Sequence, residues 1–279
     1  MPNIFDVANH FDDIPLTDGY TGAALFNAQT STFLGASPDG SVAQKRVFSM
    51  APAMTLPSRK CVVALTERYI LGSTILDGIY GQSIRKSAWA KLVTDSLEIL
   101  TPAQACLATA GTTAYGRRQY FKDTVNGVTD AEYDPFWEIF FSVSEPVFKG
   151  SFFKVGTTFY RCRSAHLDEA GFTNANSDEL DEGSRVAITF PLTGAYDPVT
   201  DSYGAGSLAT NGFMFDRYKL YNTLTSTDAL NHAGDMTVVV AASAVTPVIG
   251  RVLTVAGRDW NILNSTIEQD AWSLHVRRA

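Results

Sequence analysis

The sequence predicts a mainly β fold: two or three small β-barrel or sandwich units joined by long arms, with one helix near residues 83–97. Three observations carry this. Short runs rich in β-branched and aromatic residues recur along the chain. Gly, Asn, Asp and Pro separate them at the spacing of barrels and sandwiches. Helical periodicity is confined to essentially one stretch.

In chain order, Asp6–Phe11 fits one short helical turn, and Gly19–Gly40 is small and polar without clear period. Val42–Met50, Cys61–Leu65 and Tyr69–Leu71 read as strands. In Ser83–Leu97 the residues Ile84, Ala88, Leu92 and Leu97 fall near one helical face, widened by Trp89 and Val93, so a helix is expected. Gln119–Thr124 fits a short helical turn before the turn signal Asn126-Gly127. Trp137–Val143, Ser151–Val155 and Thr158–Arg163 are β-prone, and Arg185–Phe190 alternates. Asp168–Gly183 and Leu192–Gly212 resemble Gly19–Gly40. As loops they would be long for a compact domain, so all three are expected to be arms that order against neighbouring subunits. Asp216–Tyr221, Thr237–Ala241, Val252–Val255, Trp260–Leu263 and Ala271–Val276 complete the strands. The implied units are 1–125, an N-terminal β unit with helix and arm; 126–200; and 201–279.

The chain has 279 residues, 45% of them hydrophobic, with a mean hydropathy of −0.01, which excludes a disordered chain and supports a sizeable core. Lys and Arg number 22 against 29 Asp and Glu, a net charge of −7. Such a balance argues against holding nucleic acid by bulk charge, yet suits a wall past which DNA slides. Charged residues are only 18%, below the usual ~25%, as expected where partners or other copies cover the surface. Cys61, Cys106 and Cys162 are far apart and odd in number, which argues against a disulfide framework or zinc ribbon; reduced, buried thiols are expected. The opening MPNIFDVANHFDDIPL lacks a signal-peptide pattern and no apolar run reaches the ~18 residues of a membrane span. Synthesis in a reducing cytoplasm is expected, with no role for the sequon Asn264-Ser265-Thr266.

The chain has no phosphate-binding loop, dinucleotide fingerprint, zincin motif or nucleophile elbow. His166-Leu167-Asp168-Glu169 carries metal-ligating types but fits a polar turn better. Asp178-Glu179-Leu180-Asp181-Glu182 lacks the spacing of a calcium loop and is expected as a solvated acidic loop or a wall repelling DNA phosphates. Arg117-Arg118-Gln119-Tyr120-Phe121-Lys122 mixes cations with aromatics and is expected to meet acidic loops of a neighbour. Arg277-Arg278 is expected as an exposed tail. Glu138, with Glu145, Asp130 and Glu132, offers the carboxylates a glycosidase needs, but spacing does not pair them. No catalytic, cofactor-binding or metal residue is therefore assigned, and no cofactor is expected.

The most informative feature is self-similarity. Ile70–Ile75 (ILGSTI) resembles Ile262–Ile267 (ILNSTI), and Gly150–Gly156 resembles Gly250–Gly257. In that alignment Phe159 falls opposite Trp260, Ser164 opposite Ser265, and Pro146-Val147 opposite Pro247-Val248. Each unit reads as an apolar strand, a Gly turn, an aromatic-led return strand and a closing strand, Arg185–Phe190 in the middle copy and Ala271–Val276 in the last. Phe159 and Trp260 are thus expected at equivalent core positions.

The last copy, through Leu253, Val255, Gly257, Trp260, Ile262, Leu263, Leu274 and Val276, resembles the head–tail joining (stopper or neck connector) proteins of tailed bacteriophages. The resemblance is best over 247–279 and weaker over 146–190 and 61–77. The chain departs from that family in its greater length and its intervening arms. The resemblance implies a non-enzymatic virion protein, forming a ring in the head–tail neck that extends the portal channel and docks the tail. Its partners would be copies of itself, portal or adaptor and tail components, and packaged DNA passing through without sequence-specific binding, with no membrane. It would reside in the virion, and in the host cytoplasm during assembly. Alternatives are a capsid decoration or tail/baseplate structural protein, and a β-rich glycan hydrolase.

Overall fold

The computed structural model describes residues 13–36, 42–79, 82–121, 124–125, 128–129, 136–197, 202–216 and 235–279. They form three closed barrels of six strands. The first holds β1 (Asp13–Asp18), β2 (Ala24–Ala36), β3 (Val42–Met50), β4 (Cys61–Ala64), β5 (Glu67–Ile79) and β6 (Gln82–Leu92). The second holds β7 (Asp95–Leu100), β8 (Thr112–Phe121), β11 (Phe136–Ser142), β12 (Phe152–Val155), β13 (Thr158–Leu167) and β14 (Phe172–Leu180). Helix α1 (Pro102–Leu107) joins β7 to β8, and a small hairpin, β9 (Thr124–Val125) with β10 (Val128–Thr129), lies between β8 and β11. The third holds β15 (Arg185–Asp197), β16 (Ser202–Asp216), β17 (Met236–Ala241), β18 (Val252–Val255), β19 (Arg258–Glu268) and β20 (Ala271–Arg278). The mainly β class and the small barrel units expected from sequence are present.

All three barrels have one strand order. Each is a pair of antiparallel three-stranded meanders, closed because the first strand pairs with the fourth and the third with the sixth. The equivalence extends to single hydrogen bonds. Leu71 N–H donates to Lys60 O, Cys162 N–H to Ser151 O and Ile262 N–H to Arg251 O, at 2.8, 2.9 and 2.9 Å. Leu65, Gly156 and Ala256, each left-handed, open the two-residue turn between fourth and fifth strands. A bulge follows in each fifth strand, between Leu71 and Thr74, Cys162 and Ser164, and Ile262 and Asn264.

This register corrects the sequence alignment by one residue. Tyr69, Tyr160 and Trp260 are the equivalent core aromatics, facing Val62, Phe153 and Leu253. Phe159 instead points out of its barrel against Phe213, at 5.2 Å between centroids. The slip arose from aligning Gly156 with Gly257, whereas the shared left-handed turn position is Gly156 with Ala256. Trp260 is buried, and its indole N–H has no hydrogen-bond partner among the described residues. Trp260→Phe should therefore cost only about 1 kcal/mol, since lost apolar area is offset by removing an unpaired donor. Equilibrium urea unfolding checks it.

Several expectations change. The segment expected as a helix, 83–97, is β6, a two-residue link and the start of β7. Its alternation is masked because both faces are covered: Ala88 and Ala90 point into the first barrel, while Trp89 and Val93 pack against the second. The helix lies instead at α1, where Thr101 and Gln104 form a reciprocal capping box ahead of Pro102. The described parts of the expected arms are largely strands: β2, β14, and the β15–β16 hairpin. Among residues 24–31 only Ala28 is fully buried, so no apolar stripe marked the strand. Gln119–Phe121 continues β8, not a helical turn. The strand that closes the second barrel is β14; Arg185–Phe190 opens the third. Residue 125 lies between two strands of the second barrel and residue 200 between two of the third. Asp6–Phe11, Asn126-Gly127 and most of Asp216–Tyr221 lie outside the described residues.

Candidate functional site

The chemistry-bearing side chains gather where barrels meet. At the first junction Glu145, just after β11, is buried against the first barrel. Arg59 grips it from Nη2 to Oε2 at 2.6 Å and from Nε to Oε1 at 3.1 Å, and the Tyr20 hydroxyl donates to Oε1 at 2.8 Å. Arg59 also stacks on the Tyr20 ring at 3.8 Å and donates to Thr113 O. Ser142 Oγ donates to Arg59 O at 3.0 Å. Burial, then the Glu145 carboxylate, pushes the Tyr20 phenol upward. Burial pulls the Arg59 guanidinium downward, but Glu145 outweighs it and the net direction is up. The group is a welded ion pair with an aromatic lid.

The same two barrels also enclose a cavity of about 570 Å³. Trp89 and Lys91 of β6, Arg117 of β8, Phe140 of β11, and Asp168 and Phe172 at the β13–β14 turn line it. Lys91 Nζ sits 3.2 Å from the Phe140 centroid and 3.3 Å from Asp168 Oδ2. Burial draws its pKa downward, and Asp168 opposes that. The two backbones nearly touch here: Ser73 N–H donates to Ala170 O at 3.0 Å. A Cβ on Gly171, whose φ is +79°, would stand 1.9 Å from Ser73 Oγ. Two cations, Lys91 and Arg117, face two carboxylates, Asp168 and Glu169, around the aromatic rings, so the lining carries no net charge.

The second junction is mostly apolar. Leu100, Cys106, Phe152, Phe213 and Val239 form one buried cluster across the second and third barrels. Polar contacts rim it. Arg161 Nη2 meets Glu268 Oε2 at 2.6 Å, Ala103 N–H donates to Asp270 Oδ1 at 3.0 Å, and Gln269 Nε2 donates to Lys149 O at 3.0 Å.

The sequence candidates are scattered through this frame. His166 lies in β13, exposed, while Asp168 pairs with Lys91 and accepts from Phe172 N–H. No group of three or more His, Cys, Asp or Glu able to hold a metal occurs among the described residues. Only part of the acidic run is a loop: Asp178 to Leu180 end β14, Asp178 pairs with Arg163, and Glu179 accepts from Trp137 Nε1 at 2.8 Å, while Asp181 follows in an exposed link to a short 3-10 turn that begins at Glu182. Strand alternation sends Arg117 to the cavity and Arg118 to Asp95 and Tyr160 within its own barrel. Glu138 accepts from Asn174 Nδ2 at 3.1 Å. Asp130, Glu132 and Lys122 lie outside the described residues.

Arg277 is not in a tail. In β20 it grips buried Asp235 in two places, 2.8 and 3.0 Å, and His275 Nε2 meets the same carboxylate at 2.7 Å. The sequence reading missed this cluster; its signal was His275 and Arg277 two apart, on one face of a strand. No helix among the described residues is long and apolar enough to cross a membrane.

Cys61, Cys106 and Cys162 are free and buried, as expected. Burial pushes each thiol from an ordinary 9.0 up to about 12. The unfolded chain ionises them first, so their contribution to stability is full below pH 9.0 and is lost as pH rises toward about 12. Urea midpoints should hold up to pH 9.0 and fall above it on this account, by less in a chain with the three residues changed to Ala. In the native protein at neutral pH no thiol should react with a disulfide reagent over minutes, and all should react on unfolding.

No family model matches this chain, and neither the curated proteins nor the solved structures contain a match to it.

Proposed function

We propose that this chain is a structural virion protein of a tailed phage, forming a ring in the head–tail neck that extends the portal channel and docks the tail. The observation that carries the reading is the construction itself: three barrels of one strand order, welded through a buried ion pair at one junction and an apolar core at the other. Such welds resist relative motion, the property a ring subunit under mechanical stress needs. The third barrel supports the reading through Leu253, Val255, Trp260, Ile262, Leu274 and Val276, six of the eight residues of the stopper resemblance, which lie in its interior, while Leu263 is exposed. A net charge of −7 suits a channel through which DNA slides.

Particle imaging with the chain labelled by antibody or fusion tests it. A ring coaxial with the portal is the expected result. Copies on capsid lattice axes would make it a decoration protein, copies at the tail tip a baseplate component. Complete absence from particles would overturn a virion role.

A further inference from the structure

The cavity between the first two barrels is lined by one amine, that of Lys91. Strand alternation puts it there. Ala90 points into the first barrel, so Trp89 and Lys91 on either side of it point out of β6 toward the second. The Lys91 nitrogen lies 3.2 Å from the Phe140 centroid and 4.7 Å from that of Phe172. Asp168 Oδ2 is its ion-pair partner at 3.3 Å, longer than the ~2.8 Å of a tight charge-assisted contact.

Charged groups act on this amine from three other elements: Asp168 at the β13–β14 turn, Arg117 on β8 and Glu138 on β11, while Glu169 lines the same cavity. Burial is the strongest influence and favours the neutral amine. Asp168 opposes it, Arg117 adds to it, Glu138 opposes it, and the net direction of the pKa is down. A lysine desolvated and set beside a second cation is an activated nucleophile. The Lys91 side chain is 25% exposed, so a reactant reaches it from solvent. The cavity, about 570 Å³, falls within the ~300–1,000 Å³ of sites that take small molecules.

We propose that Lys91 is a capture site for a small uncharged aldehyde, held in the cavity as an imine. The nucleophile sets the reactant class: an amine and an aldehyde condense without oxidant, reductant or activated leaving group. The Lys91 Nζ lone pair forms a C–N bond to the carbonyl carbon, and the C=O π pair moves to oxygen. Water carries a proton from nitrogen to that oxygen, giving the carbinolamine. The nitrogen lone pair then forms C=N as the C–O bond breaks, and the oxygen leaves as water with the second amine proton. The lining sets the charge class, because two cations face two carboxylates and neither sign is in excess. This site is independent of the ring reading above and stands or falls on the free chain.

Competitive labelling of the unaltered full chain tests it. Benzaldehyde is the probe, cyanoborohydride fixes each imine as a benzylamine, and peptide mass mapping reads each lysine. At neutral pH Lys91 should be labelled about tenfold faster than the exposed Lys149, because the cavity holds the aldehyde beside a nitrogen that is more often neutral. Labelling of Lys91 should saturate as benzaldehyde is raised, while that of Lys149 rises in proportion, and the Lys91 rate should level off at lower pH. Two variants, checked for folding by circular dichroism, read the neighbouring charges. Arg117→Gln should slow Lys91 several-fold, since the amine regains its proton, and Asp168→Asn should speed it. Equal rates at Lys91 and Lys149, or a Lys91 rate that never saturates, would show an ordinary surface amine and overturn the site. Unchanged rates in both variants would overturn the charge arrangement on which it rests.

Discussion

Arg59→Met should lower the stability of the chain by about 3 kcal/mol, the low end of the range for breaking a buried ion pair from one side. The size follows from what is left behind. The Glu145 side chain is 1% exposed, and without the guanidinium its charge keeps, among the described residues, only the Tyr20 hydroxyl. Arg59 itself is 32% exposed, so water reaches the pair and the upper end of the range does not apply. Methionine keeps most of the stem, which limits the change to charge and hydrogen bonding. Urea unfolding measures the loss, and amide exchange locates it: β4 and the Ser73–Ala170 contact should open first. Adding Glu145→Gln should restore part of the stability, because the stranded charge is gone. A loss below about 1 kcal/mol would mean that the pair behaves as a surface pair, and that apolar contacts around Ile70, Phe140 and Phe172 hold the first junction alone.

The strands that the sequence revealed were those with one dry face and one wet face, or two dry ones, bounded by turn residues. Val42–Met50, Thr237–Ala241 and Ala271–Val276 are of this kind, and the structure places β3, β17 and β20 there. What misled was coverage from a second body. Trp89 and Val93 look like helix-face residues only because the neighbouring barrel dries the outside of β6. The same effect hid the junctions. Glu145, Arg59 and Tyr20 are far apart in sequence and sit in unremarkable turns, so only the packing of one barrel on another makes them a site. The repeat was legible through its bulged fifth strand, ILGST and ILNST, yet its register was not. A left-handed turn residue can be Leu65, Gly156 or Ala256, and aligning glycines therefore misplaces the strand by one residue.

Phe152→Ala should cost about 3–5 kcal/mol, as expected for a fully buried aromatic truncated in a packed core. Where that loss falls is the informative part. Phe152 and Phe153 are neighbours in β12, both 0% exposed, yet they serve different cores because successive strand residues face opposite ways. Phe153 packs with Ile139 and Tyr160 inside the second barrel. Phe152 packs outward, 4.8 Å from the Phe213 ring, in the cluster shared with α1 and the third barrel. Two substitutions of equal size at adjacent positions should therefore give similar losses of global stability with different local signatures. Phe152→Ala should raise amide exchange in α1, β16 and β17 while β11 and β14 stay protected; Phe153→Ala should do the reverse. Val252→Ala, at the equivalent outward position of the third barrel, should cost less than about 1 kcal/mol in the free chain, because Val252 is 37% exposed. A large loss there in dilute monomer would show that the third face is already packed within one chain. The same patterns for Phe152→Ala and Phe153→Ala would show that the second and third barrels unfold as one cooperative body.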